Sequence, residues 1–192
     1  MGTDIHLVAE YYKDGRWHLS DVELPDYRNY RAFAVLADVR NGYAFAGFDT
    51  GDPVDPISYP RGLPDDLSQE LQAILDNEEQ DDELDWDKEE EDTFIWLGDH
   101  SFSWVTLKEL LDYDLDAPVT LRGKVPPEVA FAWKENGEPP RITAAYSNDS
   151  TWVSMEWQQP IRQSAPLIQN LIDALLPLGD PAKVRIVFGF DS

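Results

Sequence analysis

The sequence predicts an α+β fold: a mixed or mainly antiparallel sheet that opens with a β-hairpin and carries about four helices. Predicted strands follow one another more often than they alternate with helices, which favours an antiparallel or mixed sheet. The 192 residues are enough for a single domain, 1–192, with a sizeable core. A hydrophobic share of 42%, with seven tryptophans, is too high for a disordered chain.

The first 42 residues predict a hairpin followed by a helix. Residues 4–12 alternate in the manner of a strand, Lys13-Asp14-Gly15-Arg16 forms a turn, and residues 17–24 return as the second strand. The apolar residues that follow have helical spacing. Asp26 is positioned to cap this helix, and Asn41-Gly42 supplies a left-handed stop.

The remaining residues continue the same mixture of short elements. Residues 43–66 are rich in Gly, Pro and Asp and predict a long loop, which is either functional or mobile. Thr106 and Glu109 have the spacing of a capping box that starts a helix. The other predicted elements are a helix from Asp65 or Asp66, strand segments at 93–98 and 101–105 around a Gly98-Asp99 turn, strands at 118–123, 141–146, 151–158 and 183–190, a helical or irregular piece near 127–134, and a helix over 166–176.

Charge limits the classes of partner. The chain has 38 acidic and 15 basic residues, a net charge of −23, which argues against direct binding of duplex nucleic acid because that affinity comes from Lys and Arg. Residues 76–92 alone hold twelve acids and one lysine and predict an exposed acidic loop or insertion. The alternative is that this segment mimics a phosphate backbone and occupies the basic groove of a host protein.

Cysteine and leader-like segments are absent from the sequence. Without cysteine there are no disulfides and no thiolate metal site, which suits a reducing cytoplasm. The N-terminus has no basic and apolar leader pattern, and no window of about 18 apolar residues occurs. We therefore expect a cytoplasmic protein without a membrane partner. The sequence makes no prediction of an oligomeric state.

Four blocks of the sequence carry a resemblance: MGTDIHLVAEYY, RNYRAFAVLADVRNG, PISYPRGLPDDLS and GDHSFSWVTLKELL. Together they resemble an uncharacterised family of tailed-bacteriophage and prophage proteins, over roughly residues 1–113. The resemblance implies a phage gene expressed in the bacterial host cytoplasm, with an accessory or counter-defence role. It brings no assigned activity and no catalytic residue.

Six residues form the predicted ligand site. Asp4 and His6 lie two apart on a strand and so project from the same face, and His100 follows a glycine-containing turn. Arg61 stands in Pro60-Arg61-Gly62, a rigid setting that could aim its guanidinium at a phosphate. With Ser101 and Trp104 these groups would offer a phosphate clamp, hydrogen-bonding groups and an aromatic surface. The predicted ligand-binding residues are Asp4, His6, Arg61, His100, Ser101 and Trp104.

Three functions follow from these patterns. The favoured one is a phage accessory protein that binds and sequesters a small phosphorylated, nucleotide-like ligand without a cofactor. The second is the acidic, nucleic-acid-mimicking inhibitor of a basic host protein. The third is a metal-dependent phosphoesterase with a divalent metal at Asp4, His6 and His100. No nucleophile or phosphate-loop motif occurs, and Asp49-Thr50-Gly51 predicts a turn, so the sequence assigns no catalytic residue.

Overall fold

Two antiparallel sheets confirm the α+β class. A computed structural model of the protein describes residues 2–78, 95–137, 144 and 146–191. The strands are β1 (Ile5–Lys13), β2 (Arg16–Leu19), β3 (His100–Thr106), β4 (Pro118–Val125), β5 (Val153–Pro160) and β6 (Val184–Phe190). The α-helices are α1 (Tyr30–Ala37), α2 (Gln69–Glu78), α3 (Leu107–Asp112), α4 (Pro127–Asn136), α5 (Ile161–Ser164) and α6 (Pro166–Leu175). The larger sheet has the order β2-β1-β6-β3, and β4 pairs with β5 in a second sheet.

The predicted opening hairpin is confirmed. β1 and β2 pair from Lys13 opposite Arg16, and the two residues between them, Asp14 and Gly15, both have positive φ, at 52° and 87°. A two-residue turn of this kind matches the twist of the strands that it joins. β2 ends at Leu19, earlier than the predicted strand, and the Ser20 backbone just after it donates to the Ala9 carbonyl oxygen of β1 at 2.9 Å.

β6 is buried along its whole length because both faces of the larger sheet are covered. One face packs in a large core with α1, α3 and α6, and the other packs against Leu71 of α2 and Leu97. A strand that is covered on both sides contains a nearly continuous apolar run, as in VRIVFGF. The residues of β6 in the large core are Val184, Ile186, Phe188 and Phe190.

One charged side chain, Arg185, interrupts that apolar run. It lies opposite Glu10 of β1, and both side chains are almost completely buried, with 2.7 Å between their charged groups. Arg185 also donates to Asp66 at 2.7 Å, and the ring of Trp17 covers its guanidinium at 3.8 Å. The second oxygen of Glu10 accepts from the Ser68 backbone at 2.7 Å. The network therefore ties β1, β2, β6 and the segment before α2 together.

The first helix is shorter than predicted. α1 begins after Asn29, whose side chain accepts from the first turn at 2.8 Å, so Asp26 lies outside the helix. It ends at Asp38, which has left-handed φ of 61°. Asn41 is a loop anchor instead, because its amide exchanges two hydrogen bonds with the backbone of Val54, at 2.7 and 2.9 Å.

Other boundaries follow local hydrogen bonding. α2 starts at Gln69 rather than at Asp65 or Asp66, since the Ser68 hydroxyl caps it while Asp66 binds Arg185. Residues 95–98 form no strand, so that part of the 93–98 prediction is wrong. Most of the predicted 141–146 strand and most of the acidic segment 76–92 lie outside the described residues, although Ala144 forms a β-bridge with Lys124 of β4. The capping box of Thr106 and Glu109, the elements near 118–123, 127–134, 151–158 and 166–176, and the last strand are confirmed.

The smaller sheet and α4 form a satellite layer. Val125, Met155 and Trp157 pack with Ala130 of α4 in a small separate cluster. Gly51 of the long loop forms a β-bridge with Leu121 of β4, so the loop adds a third chain segment to this sheet. The gap between the satellite layer and the end of α1 becomes the site described below.

Removal of the buried negative charge tests the role of the Arg185 network. Glu10→Gln should lower the free energy of unfolding by about 3 kcal/mol or more, because it leaves a buried guanidinium without its main partner. Urea unfolding followed by tryptophan fluorescence measures this. Asp4→Asn, which breaks an exposed pair with Arg28, is the control and should have a much smaller effect. An equal loss in the free energy of unfolding for the two variants would show that the buried pair contributes no more to stability than the exposed pair.

Candidate functional site

The predicted site residues Asp4 and His6 lie together at one end of the larger sheet. Asp4 forms a two-pronged pair with Arg28, at 2.8 and 2.6 Å, and its pKa is held below the ordinary value by that bond. His6 lies 3.2 Å from a carboxylate oxygen of Asp191, and its ring lies 4.5 Å from that of Trp96. Both side chains are therefore occupied by structural partners.

Arg61 lies beside β3 and makes its contacts there. Its guanidinium forms a fork with Glu109, at 2.6 and 3.3 Å, and donates to the Trp104 carbonyl oxygen at 3.1 Å. It also lies over the Trp104 ring at 4.9 Å. The backbone of the next residue, Gly62, donates to Phe102 at 2.8 Å, so this segment follows the outer edge of β3. Arg61 and Trp104 are therefore brought together, as an anchor of the long loop.

A bulge at Ser101 separates His100 from the aromatic residues that follow it. Ser101 has φ of 55°, and the register of β3 against β6 shifts between His100 and Ser103. His100 consequently faces Phe190, at 6.2 Å between rings, while Phe102 and Trp104 pack in the cluster on the opposite face of the sheet. Ser101 donates to or accepts from His100 Nδ1 at 2.9 Å.

The six predicted residues thus occupy three places. Asp4 with His6, Arg61 with Trp104, and His100 with Ser101 each have their own neighbours, and no described contact joins the three groups. Among the residues that the structure describes, no three His, Asp or Glu side chains gather in a way that could hold a metal ion. The positions of these side chains therefore give no support to the predicted metal site at Asp4, His6 and His100.

A cavity of about 590 Å³ lies elsewhere, between the end of α1, the start of the long loop and β4. A second cavity of about 180 Å³ adjoins it, and Arg40 and Arg122 line both. We call the two together the Arg40–Arg122 cleft. The larger part is lined by Asp38, Arg40, Asn41, Gly42, Tyr43, Ala44, Gly47, Asp49, Gly51, Pro53 and Arg122. The smaller part is lined by Tyr30, Arg31, Arg40, Thr50, Leu121, Arg122, Trp157 and Ser164.

Arg122 is the electrostatic centre of the cleft. It binds Asp52 at 2.6 Å, Glu156 at 2.8 Å and Asp49 at 3.4 Å. The bonds to Glu156 and Asp52 raise the pKa of the guanidinium above its usual value. Hydrogen bonds from Thr120 and Arg122 hold the pKa of Asp52 below its usual range. The Arg122 guanidinium is therefore fixed in position and permanently charged at the junction of the loop, β4 and β5.

Two further arginines stand around Arg122. Arg40 donates from Nε to the Thr3 hydroxyl at 2.9 Å and lies over the Tyr30 ring at 5.8 Å. Arg31 is buried and donates to the Asp52 carbonyl oxygen at 2.7 Å, and burial lowers the pKa of its guanidinium. Three guanidinium groups thus converge on one cleft in a chain that has few basic residues.

The backbone around the cleft is unusual. Three of the five described non-glycine residues with positive φ are here, namely Asp38, Arg40 and Ala46, at 61°, 55° and 54°. Such conformations cost free energy and cluster at binding and catalytic sites. Gly51 has φ of 135°, and a Cβ on it would overlap the Thr120 carbonyl oxygen, so only glycine permits this approach of the loop to β4.

Aromatic rings stand at the rim of the cleft. Residues 43–49 form a small hairpin, with a bridge between Tyr43 and Asp49, and Tyr43 and Phe45 are 55% and 45% exposed. Phe48 stacks on Tyr146 at 4.9 Å. Asp49 accepts from the Gly51 backbone at 2.8 Å, which confirms the turn predicted for Asp49-Thr50-Gly51. We call residues 43–49 the aromatic hairpin.

The sequence pattern pointed to the long loop but not to these arginines. Its glycines and prolines marked 43–66 as a segment of functional interest, whereas Arg40 closes a predicted helix and Arg122 lies in a predicted strand. The two arginines are 82 positions apart, and their elements are brought together by long-range contacts such as the Gly51–Leu121 bridge.

No protein-family model, curated protein or solved structure matches the chain. None of the helices in the described ranges combines the length and apolar character that crossing a bilayer requires. Function is therefore inferred from the residues of the cleft.

The Arg61 contacts lead to a prediction about stability and pH. Burial alone would raise the pKa of Glu109, but hydrogen bonds from Arg61 and Thr106 outweigh it and hold that pKa below the ordinary 4.5. The stability from this pair is therefore present above pH 4.5 and is lost as the pH falls through the lower pKa of the folded state. Arg61→Ala should reduce the free energy of unfolding by about 1 kcal/mol at pH 7.

The penalty of Arg61→Ala should shrink when unfolding is measured at an acidic pH well below 4.5, because Glu109 is protonated as the pH falls through its lowered pKa. Chemical unfolding at the two pH values checks this. Lys108→Ala, which removes an exposed pair with Asp112 on the same helix, is the control and should have a smaller effect at pH 7. A penalty that is equal at both pH values would contradict the role given to Glu109.

Proposed function

We propose that this protein is a phage accessory protein that binds and sequesters a small phosphorylated, nucleotide-like ligand in the Arg40–Arg122 cleft. The observation that carries the proposal is the convergence of three arginines on the Arg40–Arg122 cleft: Arg40 and Arg122 line both of its cavities, and Arg31 lines the smaller one. The larger cavity, with a volume of about 590 Å³, lies within the range of small-molecule sites. The resemblance of residues 1–113 to phage proteins supports a counter-defence role in the cytoplasm of the bacterial host.

The arginines suit a phosphate group. A guanidinium presents a planar fork of N–H donors, and its hydrogen bonds to phosphate are charge-assisted and directional. The overall charge of −23 repels anions at long range, so binding of a phosphate requires a local arrangement of positive groups. Arg40 and Arg122, which line both parts of the cleft, supply one.

The aromatic hairpin suits the other half of a nucleotide. Tyr43 lines the cleft and is more than half exposed, and Phe45 of the same hairpin is also exposed. A planar base could stack on such rings at the distances that aromatic pairs prefer. Sugar hydroxyl groups could donate to the Asp38 and Asp49 carboxylates of the same wall.

The side chains in the wall of the larger cavity favour ligand binding over bond cleavage. The described wall of the larger cavity contains no His, Ser, Cys or Lys side chain, and its two carboxylates already accept hydrogen bonds, Asp38 from the Asn41 amide and Asp49 from the Gly51 backbone. Sequestration needs only affinity and an abundant protein. The cleft also needs no cofactor for this role.

Isothermal titration with a panel of linear and cyclic nucleotides tests the proposal. Arg40→Gln should weaken binding by at least about tenfold, because one charge-assisted contact with a phosphate is lost. Arg162→Gln is the matched control, since Arg162 pairs with Asp116 and lines neither cavity. A panel in which no nucleotide binds, or in which both variants weaken binding equally, would contradict the proposal.

A second function, inhibition of a basic host protein, is favoured by the charge of residues 76–92. α2 extends into the start of this segment, and residues 79–92 lie outside the described residues. The proposed mechanism is competition with nucleic acid for a basic groove.

Replacement of every Asp and Glu in 79–92 by Asn and Gln tests this second function without changing the length. The wild-type protein should displace duplex DNA from a basic DNA-binding protein of the host in an anisotropy assay, and the neutral variant should not. Displacement should weaken as salt is raised, because charge drives it. Equal displacement by both proteins, or none by either, would contradict inhibition by this segment.

A further inference from the structure

We propose that the Arg40–Arg122 cleft selects a singly charged phosphate, that is a phosphodiester, and that Asp49 sets this preference. The inference rests on the proposed function and makes its ligand class narrower. It assigns a specificity-determining role to a carboxylate that competes with the ligand for Arg122.

The charges around the cleft nearly balance. Three guanidinium groups face four carboxylates in the described part of the chain. The groups are Arg31, Arg40 and Arg122, and Asp38, Asp49, Asp52 and Glu156. A cleft of this composition has no large positive potential that would attract a multiply charged anion. It can accept an anion only where a ligand oxygen replaces a carboxylate oxygen.

Asp49 is the carboxylate that a ligand oxygen can replace. Its two oxygens lie 3.4 Å from Arg122 Nη1, whereas Asp52 and Glu156 bind the other nitrogens at 2.6 and 2.8 Å. Asp49 also lines the larger cavity and is more than half exposed. Its contact with Arg122 is therefore the longest of the three, and Asp49 is the one of these three carboxylates that lines the larger cavity.

A phosphate bound at Arg122 would remain next to Asp49. The side chain cannot move far, because its turn is fixed by the hydrogen bond from Gly51 and by the bridge to Tyr43. A singly charged diester exchanges one anionic partner of Arg122 for another. A monoester carries a second negative charge, which is repelled by Asp49 at short range.

The substitution Asp49→Asn isolates the charge. Asparagine has nearly the same shape and keeps a side-chain oxygen that can accept from the Gly51 backbone. Arg122 keeps its shorter bonds to Asp52 and Glu156. Asp116→Asn is the matched control, because it removes an exposed carboxylate from the Arg162 pair away from the cleft.

The experiment compares each nucleoside 5′-monophosphate with its methyl phosphodiester by titration calorimetry at pH 7.5. The two ligands share a base and sugar and differ by one charge. The wild-type protein should bind the diester at least about tenfold more tightly, and Asp49→Asn should reduce this ratio to about threefold or less. Asp116→Asn should leave the ratio unchanged, and the wild-type ratio should fall as salt is raised.

The outcomes separate this inference from the proposed function. A wild-type protein that binds monoester and diester equally, or prefers the monoester, overturns the inference and leaves nucleotide binding standing. A ratio that Asp49→Asn does not change overturns the role of Asp49. Failure of every nucleotide to bind overturns the proposed function as well. If Asp49→Asn melts well below the wild-type protein, the variant cannot be compared and the test uses the wild-type protein alone. A wild-type ratio of diester to monoester affinity that does not change with salt then overturns the inference.

Discussion

The guanidinium of Arg185 lies in the middle of the larger sheet with almost no contact with water, and the fold has to supply negative charge there. Glu10 does so from β1, Asp66 does so from the segment before α2, and the Trp17 ring covers the open face. An uncompensated buried charge costs several kcal/mol. The sheet, the hairpin and the end of the long loop are therefore positioned by the same charge.

The long loop is held in place by hydrogen bonds to the rest of the fold. Between Asn41 and Asp66 it has little regular structure, yet it is fixed at intervals by hydrogen bonds that its backbone N–H groups donate. These include Val54 to Asn41, Ile57 to Val35 and Gly62 to Phe102. Because its walls are held by these bonds, the Arg40–Arg122 cleft would need little ordering if it binds the proposed ligand, and less affinity would be lost to entropy.

The sequence predicted elements whose signals are local and missed contacts that are distant. Alternation, the Asp14-Gly15 turn and the Thr106–Glu109 capping box are short-range patterns, and the structure confirms them. The Ser101 bulge turned His100 away from Phe102 and Trp104, which strict alternation could not show. The cleft depends on a bridge between Gly51 and β4, a contact with no signature in either segment alone. Buried Arg185 likewise resembles an ordinary polar position in a strand.

The central place of β6 has a consequence during synthesis. Glu10 and Arg185 are 175 positions apart, and ribosomes add about 5–20 residues per second, so β1 waits roughly 10–35 s for its partner. Until then the β1–β2 hairpin is a two-stranded ribbon, which is only marginally stable in water. Its apolar face is exposed to the nascent-chain environment for that interval. Completion of the larger sheet is therefore timed by translation of residues 184–190, and slow translation lengthens the period in which the hairpin can mispair.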